Sequence, residues 1–484
     1  MIYVNEFRRA KIEKICVILR NKIDYLAMLT FKESISTIPA LRFVYENLQL
    51  CSPLGKNELL QSRYLTNPAE LETCFNEIEE VLVWQKEHPE PLQKIKTLLS
   101  TVQDIFSTIL RLKNCDALDD IELFEIKKNA LTVQELHKIL CETSFSLFVF
   151  HDVTETISIL DPEKSLLPHF YIYSSYSREL AALRNRSTIV SSSEEKEDLL
   201  WQISKLENKI RQGLVKKLHP FASALEHNLK LVAKLDVLLA KALLATEWNG
   251  CKPEISDEKI VYEGLFHPIV DFRLKQENSS FQPLTINLQQ EPCLITGANM
   301  TGKSIFLKTV GFSQCMFQFG FYVPAQKASI VSVEKIHFVS GDSNTEYTGL
   351  SSFANEILQI HNILQEVKEN KPLLVLVDEF ARTTNPKEGS AFVTAFLEMM
   401  NHRKTICLVT THYSDVAGEF RRLRVKGIQW DRMEHFKNNP KELNRFIDYQ
   451  LEDCYEKTAP KEAVRIAEIL AVDEIFISLV KRYL

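Results

Sequence analysis

Glycine is nearly missing from the first half of this chain, and its absence constrains the fold more than any other feature. Of 13 glycines, only Gly55 and Gly213 precede residue 250. Between Pro91 and Pro162 there is neither proline nor glycine, so no residue there forces a helix to end. Apolar residues recur at helical spacing along Ile95, Leu98, Val102, Ile105 and Ile109. Leu199, Ile203, Leu206, Ile210 and Leu214 repeat the pattern, and Leu225, Leu229, Val232, Leu235 and Leu239 carry it towards Asn249-Gly250, a C-cap pair. Such stripes are core before they are binding surfaces. Residues 1–250 therefore read as an all-helical domain of long, laterally packed helices, with Ser191 to Glu195 as a loop between two of them.

After Gly250 the texture changes. Short apolar runs (Cys293-Leu294-Ile295, Leu373 to Val377, Ile406 to Val409) alternate with helical stretches and glycine turns. Buried strands alternating with helices specify an α/β domain with a mostly parallel sheet. The fold class expected is thus α + α/β, with the boundary near residues 249–257. The α/β domain is placed at 251–440 and a C-terminal helical element at 441–484.

Composition narrows the function. The chain has 484 residues, 45% of them hydrophobic and 25% charged, which suits several folded domains. Its 58 basic and 64 acidic residues give a net charge of −6, excluding a globally basic nucleic-acid coat. Local clusters such as Arg421-Arg422-Leu423-Arg424 and Lys216-Lys217 remain, and a solvated face is the plainer account of each. No apolar run reaches the ~18 residues of a membrane helix, and the N-terminal stretch interleaves charges with apolar residues, unlike a signal or anchor. There is no CxxC and no HxxxH. The ten cysteines are expected as free, buried thiols, and the protein as cytoplasmic.

The chemistry sits at the ends of the strands. Gly297-Ala298-Asn299-Met300-Thr301-Gly302-Lys303-Ser304 satisfies GxxxxGK[ST] and follows an apolar strand. Backbone amides that curl round a phosphate need glycine, and the next helix turns its positive N-terminus to the same anion. Lys303 is then the cation for the β- and γ-phosphates of ATP, and the Ser304 hydroxyl a ligand of Mg2+. Asp378 and Glu379 end the strand Leu373 to Val377. Asp378 fits the metal shell as the Walker B carboxylate, and Glu379 fits the general base that deprotonates water. His412, just past a third strand, is placed to contact the γ-phosphate or the water.

These motifs resemble those of the MutS ATPases. GANMTGKS, the downstream YVPAQ (Tyr322 to Gln326), GLSSFANEI (Gly349 to Ile357), VDEFARTTNPKEG (Val377 to Gly389) and TTHY (Thr410 to Tyr413) occur in that family's order and spacing. The resemblance is strong over roughly residues 260 to 484 and weaker before, where LCSPLGKNELL (Leu50 to Leu60) resembles the start of a MutS core/lever region. It implies an ABC-type P-loop ATPase completed in trans within a homodimer. Ser351 or Ser352, with Phe353, would reach the γ-phosphate held by the partner, although a Ser-Ser-Phe stretch alone is an ordinary helix N-cap. Phe281 matches the family's adenine-stacking aromatic, and equally fits a buried strand phenylalanine. Thr458 to Leu470 resembles the helical element used for dimer contacts.

The departures matter as much. Thr301, Ala381 and Thr383 stand where the family usually has glycine. Roughly 250 residues before the ATPase are too few for mismatch-reading and connector domains beside a lever. Phe31-Lys32-Glu33 and Phe75-Asn76-Glu77 match only the triplet of the mismatch wedge, with no preceding glycine, and are rejected. The content resembles the second MutS branch without its C-terminal nuclease. Two functions follow from the resemblance. One is a dimeric ATP-driven switch or clamp on DNA, related to mismatch repair or recombination but not itself a mismatch reader. The other is a remodelling ATPase for a protein client, as with the short MutS-like proteins associated with cobalamin-dependent aminomutases.

Overall fold

The computed structural model describes residues 30–166, 170–298, 301–340, 352–401, 403–413, 415–431, 444–455, 463–470 and 472–483, the side chains of Ser352 and Ala463 excepted. Helices in the first half are α1 (Phe31–Thr37), α2 (Pro39–Asn47), α3 (Pro53–Gln61), α4 (Pro68–Glu87), α5 (Pro89–Thr101), α6 (Phe106–Lys113), α7 (Asp120–Glu142), α8 (Thr154–Leu160), α9 (Arg178–Ile189), α10 (Ser193–Leu218) and α11 (Ala222–Trp248). Then come β1 (Glu254–Ser256), β2 (Lys259–Leu265), α12 (Pro268–Gln276), β3 (Leu284–Gln289), β4 (Pro292–Thr296) and α13 (Lys303–Gln318). The rest are β5 (Lys327–Val331), β6 (Lys335–Ser340), α14 (Ser352–Lys368), β7 (Leu373–Asp378), α15 (Pro386–Met400), β8 (Thr405–Thr410), β9 (Arg421–Ile428), β10 (Ile447–Asp453), α16 (Ala463–Ile469) and α17 (Glu474–Arg482). Helices in the first half and alternating strands and helices in the second make the chain α + α/β. No helix among the described residues is long and apolar enough to cross a membrane.

The chain divides into two compact units. Among the described residues, one holds those of 48–62 and 77–244; the other holds those of 245–483 together with 30–47 and 63–76. The first unit is helical, and buried side chains pin its turns. Asp236 of α11 accepts the Cys51 and Ser52 amides at 2.9 and 2.7 Å and the Ser52 hydroxyl at 2.6 Å. It thereby fixes the N-terminus of α3, and a Cβ at Gly55 would lie 2.3 Å from its carboxylate. Lys127 and Asp161 form an ion pair at 3.1 Å with both side chains fully buried, and Lys127 also donates to the Tyr173 hydroxyl. The stripe from Ile95 to Ile109 does not lie on one helix: α5 stops at Thr101 and α6 starts at Phe106. The Asp104 carboxylate accepts the Phe106 amide, a local bond that competes with helix continuation. The loop expected over Ser191 to Glu195 is shorter, because Ser193 to Glu195 form the first turn of α10.

The described residues of the second unit form two sheets. The six-stranded sheet has the order β10-β9-β4-β8-β7-β6, parallel except for the antiparallel β10–β9 pair. Every residue of β7 and β8 is buried, as a parallel sheet covered on both faces requires. Val375, Val377, Cys407 and Val409 pack with Ile360, Ile363 and Val367 of α14 and Val393, Phe396 and Met400 of α15. Leu376 points to the other face, where α13 approaches so closely that a Cβ at Gly311 would lie 2.8 Å from it. β10 lies within the C-terminal stretch read as helical, so residues 447–453 are an edge strand there and helix returns only with α16 and α17.

A four-stranded sheet of order β1-β5-β2-β3 completes this unit, with only β1 and β5 parallel. The segments 30–47 and 63–76 join it through aromatic and amide contacts. Phe31 packs on Phe319 and Phe321 at 5.1 and 5.9 Å between ring centres, and the Tyr64 hydroxyl donates to Gln318 at 2.6 Å. Cys293, Cys315 and Cys407 are buried, and burial pushes the first two thiols up to about 12. Cys115 and Cys141 are instead exposed.

Candidate functional site

The loop between β4 and α13 places the motif residues. Gly297 has φ +149 and Gly302 φ +83, both outside the range of ordinary side chains. Gly302 has a second reason to be glycine, since a Cβ there would lie 3.0 Å from the Tyr449 ring. Gly302 is also the N-cap of α13, and no side chain caps the helix, so its first amides are left for an anion. The Thr301 hydroxyl, standing where glycine was expected, donates to the Ala298 carbonyl at 2.7 Å and so finds a partner inside the loop. Asn299 and Met300 lie outside the described residues.

Lys303 is buried, and its ammonium donates to the Gly297 and Ala298 carbonyls at 2.8 and 2.9 Å. Burial holds its pKa below the usual lysine value, while Glu379 and Asp378 pull it upward. Lys303 and Ser304 line a cavity of about 640 Å3 together with Thr301, Gly302, Ile305, Glu379, Arg382 and His412. Residues far apart in sequence thus converge on one space.

Strand β7 delivers the carboxylates. Asp378 is its last residue, and its Oδ1 accepts the Thr410 hydroxyl at 2.7 Å. The same Thr410 oxygen accepts the Glu379 amide at 2.9 Å, so the end of β8 fixes both acidic positions. Glu379 then turns sharply, with φ +51, and its carboxylate accepts from Arg382 at 2.9 Å. His412 is exposed beside the cavity. Partial desolvation by the cavity wall lowers its pKa, Glu379 opposes this, and Lys303 and Arg382 add to the lowering. The lowered pKa favours the neutral imidazole, whose free ring nitrogen can accept a hydrogen bond.

A buried cation and a free helix N-terminus on one wall attract phosphate, yet Glu379 stands on the same cavity and Asp378 next to it. Carboxylates facing a polyphosphate repel it unless a cation lies between them. The charges of the site therefore fit a polyphosphate carrying a divalent, oxygen-preferring metal such as Mg2+.

Phe281, by contrast, does not line the cavity. Phe281 is half-buried and precedes β3 rather than lying in a strand. Its neighbour Gln282 is fastened to β10, donating to Asp448 at 2.8 Å and accepting the Tyr449 amide at 2.9 Å. Among the described residues, Tyr449 brings its ring to the phosphate loop at Gly302, and no motif signalled it. Ser351 and the side chain of Ser352 lie outside the described residues. Phe353, one residue on, meets the Phe392 ring at 5.7 Å. Arg421 is paired with Asp453 at 2.9 Å, and Arg422 donates to the Val416 carbonyl at 2.7 Å, so this part of the basic cluster is spent within the fold.

Reasoning from sequence missed a second layer. Glu356 of α14 is buried and accepts the Ala381 amide at 3.2 Å, and the Tyr413 hydroxyl donates to the Ala381 carbonyl at 2.7 Å. Burial pushes the Glu356 carboxyl up to about 7, against the Ala381 amide and the Arg382 charge. The available signal was its place in GLSSFANEI, one helical turn beyond Phe353.

Comparison with known proteins places the second half. Residues 293–471 match the family model of MutS domain V. Endonuclease MutS2 of Ligilactobacillus salivarius (strain UCC118) is 33% identical over 211 residues, 43% of this chain and 26% of that protein. Endonuclease MutS2 of Clostridium botulinum (strain ATCC 19397 / Type A) is 33% identical over 248 residues, 50% of this chain and 30% of that protein. Endonuclease MutS2 of Pediococcus pentosaceus is 32% identical over 212 residues, 43% of this chain and 26% of that protein. The matched region thus spans less than a third of each of these relatives.

Proposed function

From the membership of the C-terminal region in the MutS superfamily, we propose that the chain is an ATP-binding and ATP-hydrolysing switch that works as a homodimer on DNA. The observation that carries this is the single cavity shared by Lys303, Ser304, Glu379 and His412. Lys303 would exchange its loop carbonyls for the β- and γ-phosphate oxygens, and the uncapped amides of α13 would hold the same anion. Bound Mg2+ would supply charge neutralisation between phosphate and carboxylate, held by Ser304 and Asp378. Glu379 would orient a water and take its proton. The neutral His412 would accept from that water or hold it against the γ-phosphate. Tyr449, and Phe281 beside the Gln282 link, are the aromatic candidates for the base. Gly297 to Ser304 as a whole, including Asn299 and Met300, would form the phosphate cradle.

Dimerisation is supported by α17, which exposes Ile475, Phe476 and Leu479. In the dimer, Ser351 or Ser352 of one chain would complete the other chain's site. Mixing two inactive variants tests this. In a Lys303→Ala plus Ser351→Ala/Ser352→Ala heterodimer, the first chain supplies serines to the second chain's intact loop. Activity should return in the mixture; heterodimers that form without activity would rule out the shared site.

The name of the relatives supports DNA as the partner. Binding should be weakly sequence-specific and salt-dependent, because the contacts would be to phosphates. Fluorescence anisotropy on duplex, branched and single-stranded DNA at several salt concentrations measures it, and no binding at low salt would remove DNA. The engagement of Arg421 and Arg422, with the net charge of −6, favours the second reading, a protein client such as a cobalamin-dependent aminomutase. An ATP-dependent complex of a Glu379→Gln variant with such a client, and none with DNA, would select it.

A further inference from the structure

The turn after β7 carries the carboxylate read here as the general base, and its backbone is strained. Glu379 has φ +51 and Ala381 φ +60, two side-chain-bearing residues in the left-handed region within three positions. Each costs on the order of 1–2 kcal/mol and persists only where the surroundings hold it. Three side chains do so. Thr410 accepts the Glu379 amide, Tyr413 donates to the Ala381 carbonyl, and Glu356 accepts the Ala381 amide. The first two stand at and just beyond the end of β8. Glu356 reaches in from α14, the helix whose first turn carries Phe353.

We propose that Glu356 is a positioning residue for Glu379: it locks the strained turn from α14, so that the serine-bearing helix and the base cannot move independently. The proposal rests on the reading of Glu379 as the base. A second contact runs parallel to it, since Phe353 meets the Phe392 ring at 5.7 Å and Phe392 meets Phe380, inside the turn, at 6.2 Å. A shift of α14 would therefore reach both the amide of Ala381 and the ring of Phe380. Glu356 acts through its reach. Its oxygen must arrive at a fixed amide, and an acceptor one methylene short leaves that amide unpaired in a buried place.

Two conservative variants separate reach from charge. Glu356→Gln keeps the length and the acceptor oxygen without the charge, and Glu356→Asp keeps the charge but shortens the arm. The measurements are steady-state ATP turnover and hydrogen exchange of the peptide covering residues 377–384, on the full chain. Glu356→Gln should keep kcat within about threefold of wild type and keep the peptide protected. Glu356→Asp should lose roughly 10- to 100-fold in kcat with KM nearly unchanged, the scale of a misplaced catalytic group, and the peptide should exchange faster. If Asp matches wild type while Gln loses turnover, charge rather than reach matters and the proposal is overturned. Unchanged exchange in both variants overturns it as well. Glu379→Gln serves as the separate control: turnover at the wild-type rate there would remove the base assignment, and exchange in Glu356→Asp would alone decide whether Glu356 holds the turn.

Discussion

Ala381 occupies a backbone position that glycine would fill without strain, and the departure from the glycine-rich MutS pattern was legible at that residue. Its consequence was not, because φ is a property of the folded chain. Ala381→Gly should raise stability by up to about 1 kcal/mol, the relief of left-handed strain less the extra chain entropy of glycine. Chemical denaturation reads it, and a loss of stability would mean that the Ala381 methyl contributes more by packing than its φ costs. Glu356 gives a second residue-scale test. Burial holds its pKa at about 7, above the ordinary glutamate value of 4.5, so between these pH values the native state holds a proton that the unfolded chain has released. The stabilisation is full below about pH 4.5 and is lost as pH rises through 7, by roughly 3 kcal/mol in all. Arg382 and the Tyr413 hydroxyl are the charged and titratable groups facing it. Wild type minus Glu356→Gln should show that slope, and a flat difference would contradict the burial argument. Lys303, Ser304, Glu379 and His412 could be singled out beforehand because motif spacing encodes them. Glu356, Thr410 and Tyr413 lie inside the quoted motifs, but they act on backbone amides and carbonyls, and spacing does not reveal those contacts; Tyr449 lies in no motif at all.

At the scale of elements, β4, β7 and β8 were legible because fully buried parallel strands read as unbroken apolar runs. The sheet β1-β5-β2-β3 was not, since its strands are short and half-exposed, as in the alternation of buried Leu284, Ile286 and Leu288 with exposed residues along β3. The break between α5 and α6 was hidden for a different reason: the apolar stripe continues through Val102 and Ile105, both buried, while α5 has already stopped at Thr101 and the Asp104 carboxylate takes the Phe106 amide at the start of α6. Gly389 on α15 makes an element-scale prediction with opposing terms. Alanine in a helix gains about 1 kcal/mol over glycine, but its Cβ would lie 2.2 Å from the Tyr413 hydroxyl. Tyr413 is buried and tied to Ala381, so it cannot yield cheaply, and overpacking costs about 1–3 kcal/mol. Gly389→Ala should therefore destabilise and slow turnover together; a stabilised variant would show Tyr413 to be mobile. In the helical unit, Asp236→Ala strands the amides of Cys51 and Ser52 and should cost roughly 2–4 kcal/mol, read as an earlier unfolding transition.

At the scale of the whole molecule, the division of labour between a helical first half and an α/β second half was readable from glycine placement alone. The membership of residues 30–47 and 63–76 in the second unit was not, because helical periodicity says that a face is buried without saying against what. Phe31 and Tyr64 supply the answer through Phe319 and Gln318. The central claim is that this second unit binds ATP through Lys303 and hydrolyses it through Glu379. Phosphate release and equilibrium binding of ATP·Mg2+, measured side by side for wild type, Lys303→Ala and Glu379→Gln, test it most directly. Wild type should bind and turn over, and Lys303→Ala should fail to bind. Glu379→Gln should bind as wild type does while turning over at least ~100-fold more slowly. Normal binding by Lys303→Ala, or wild-type turnover by Glu379→Gln, would contradict the account.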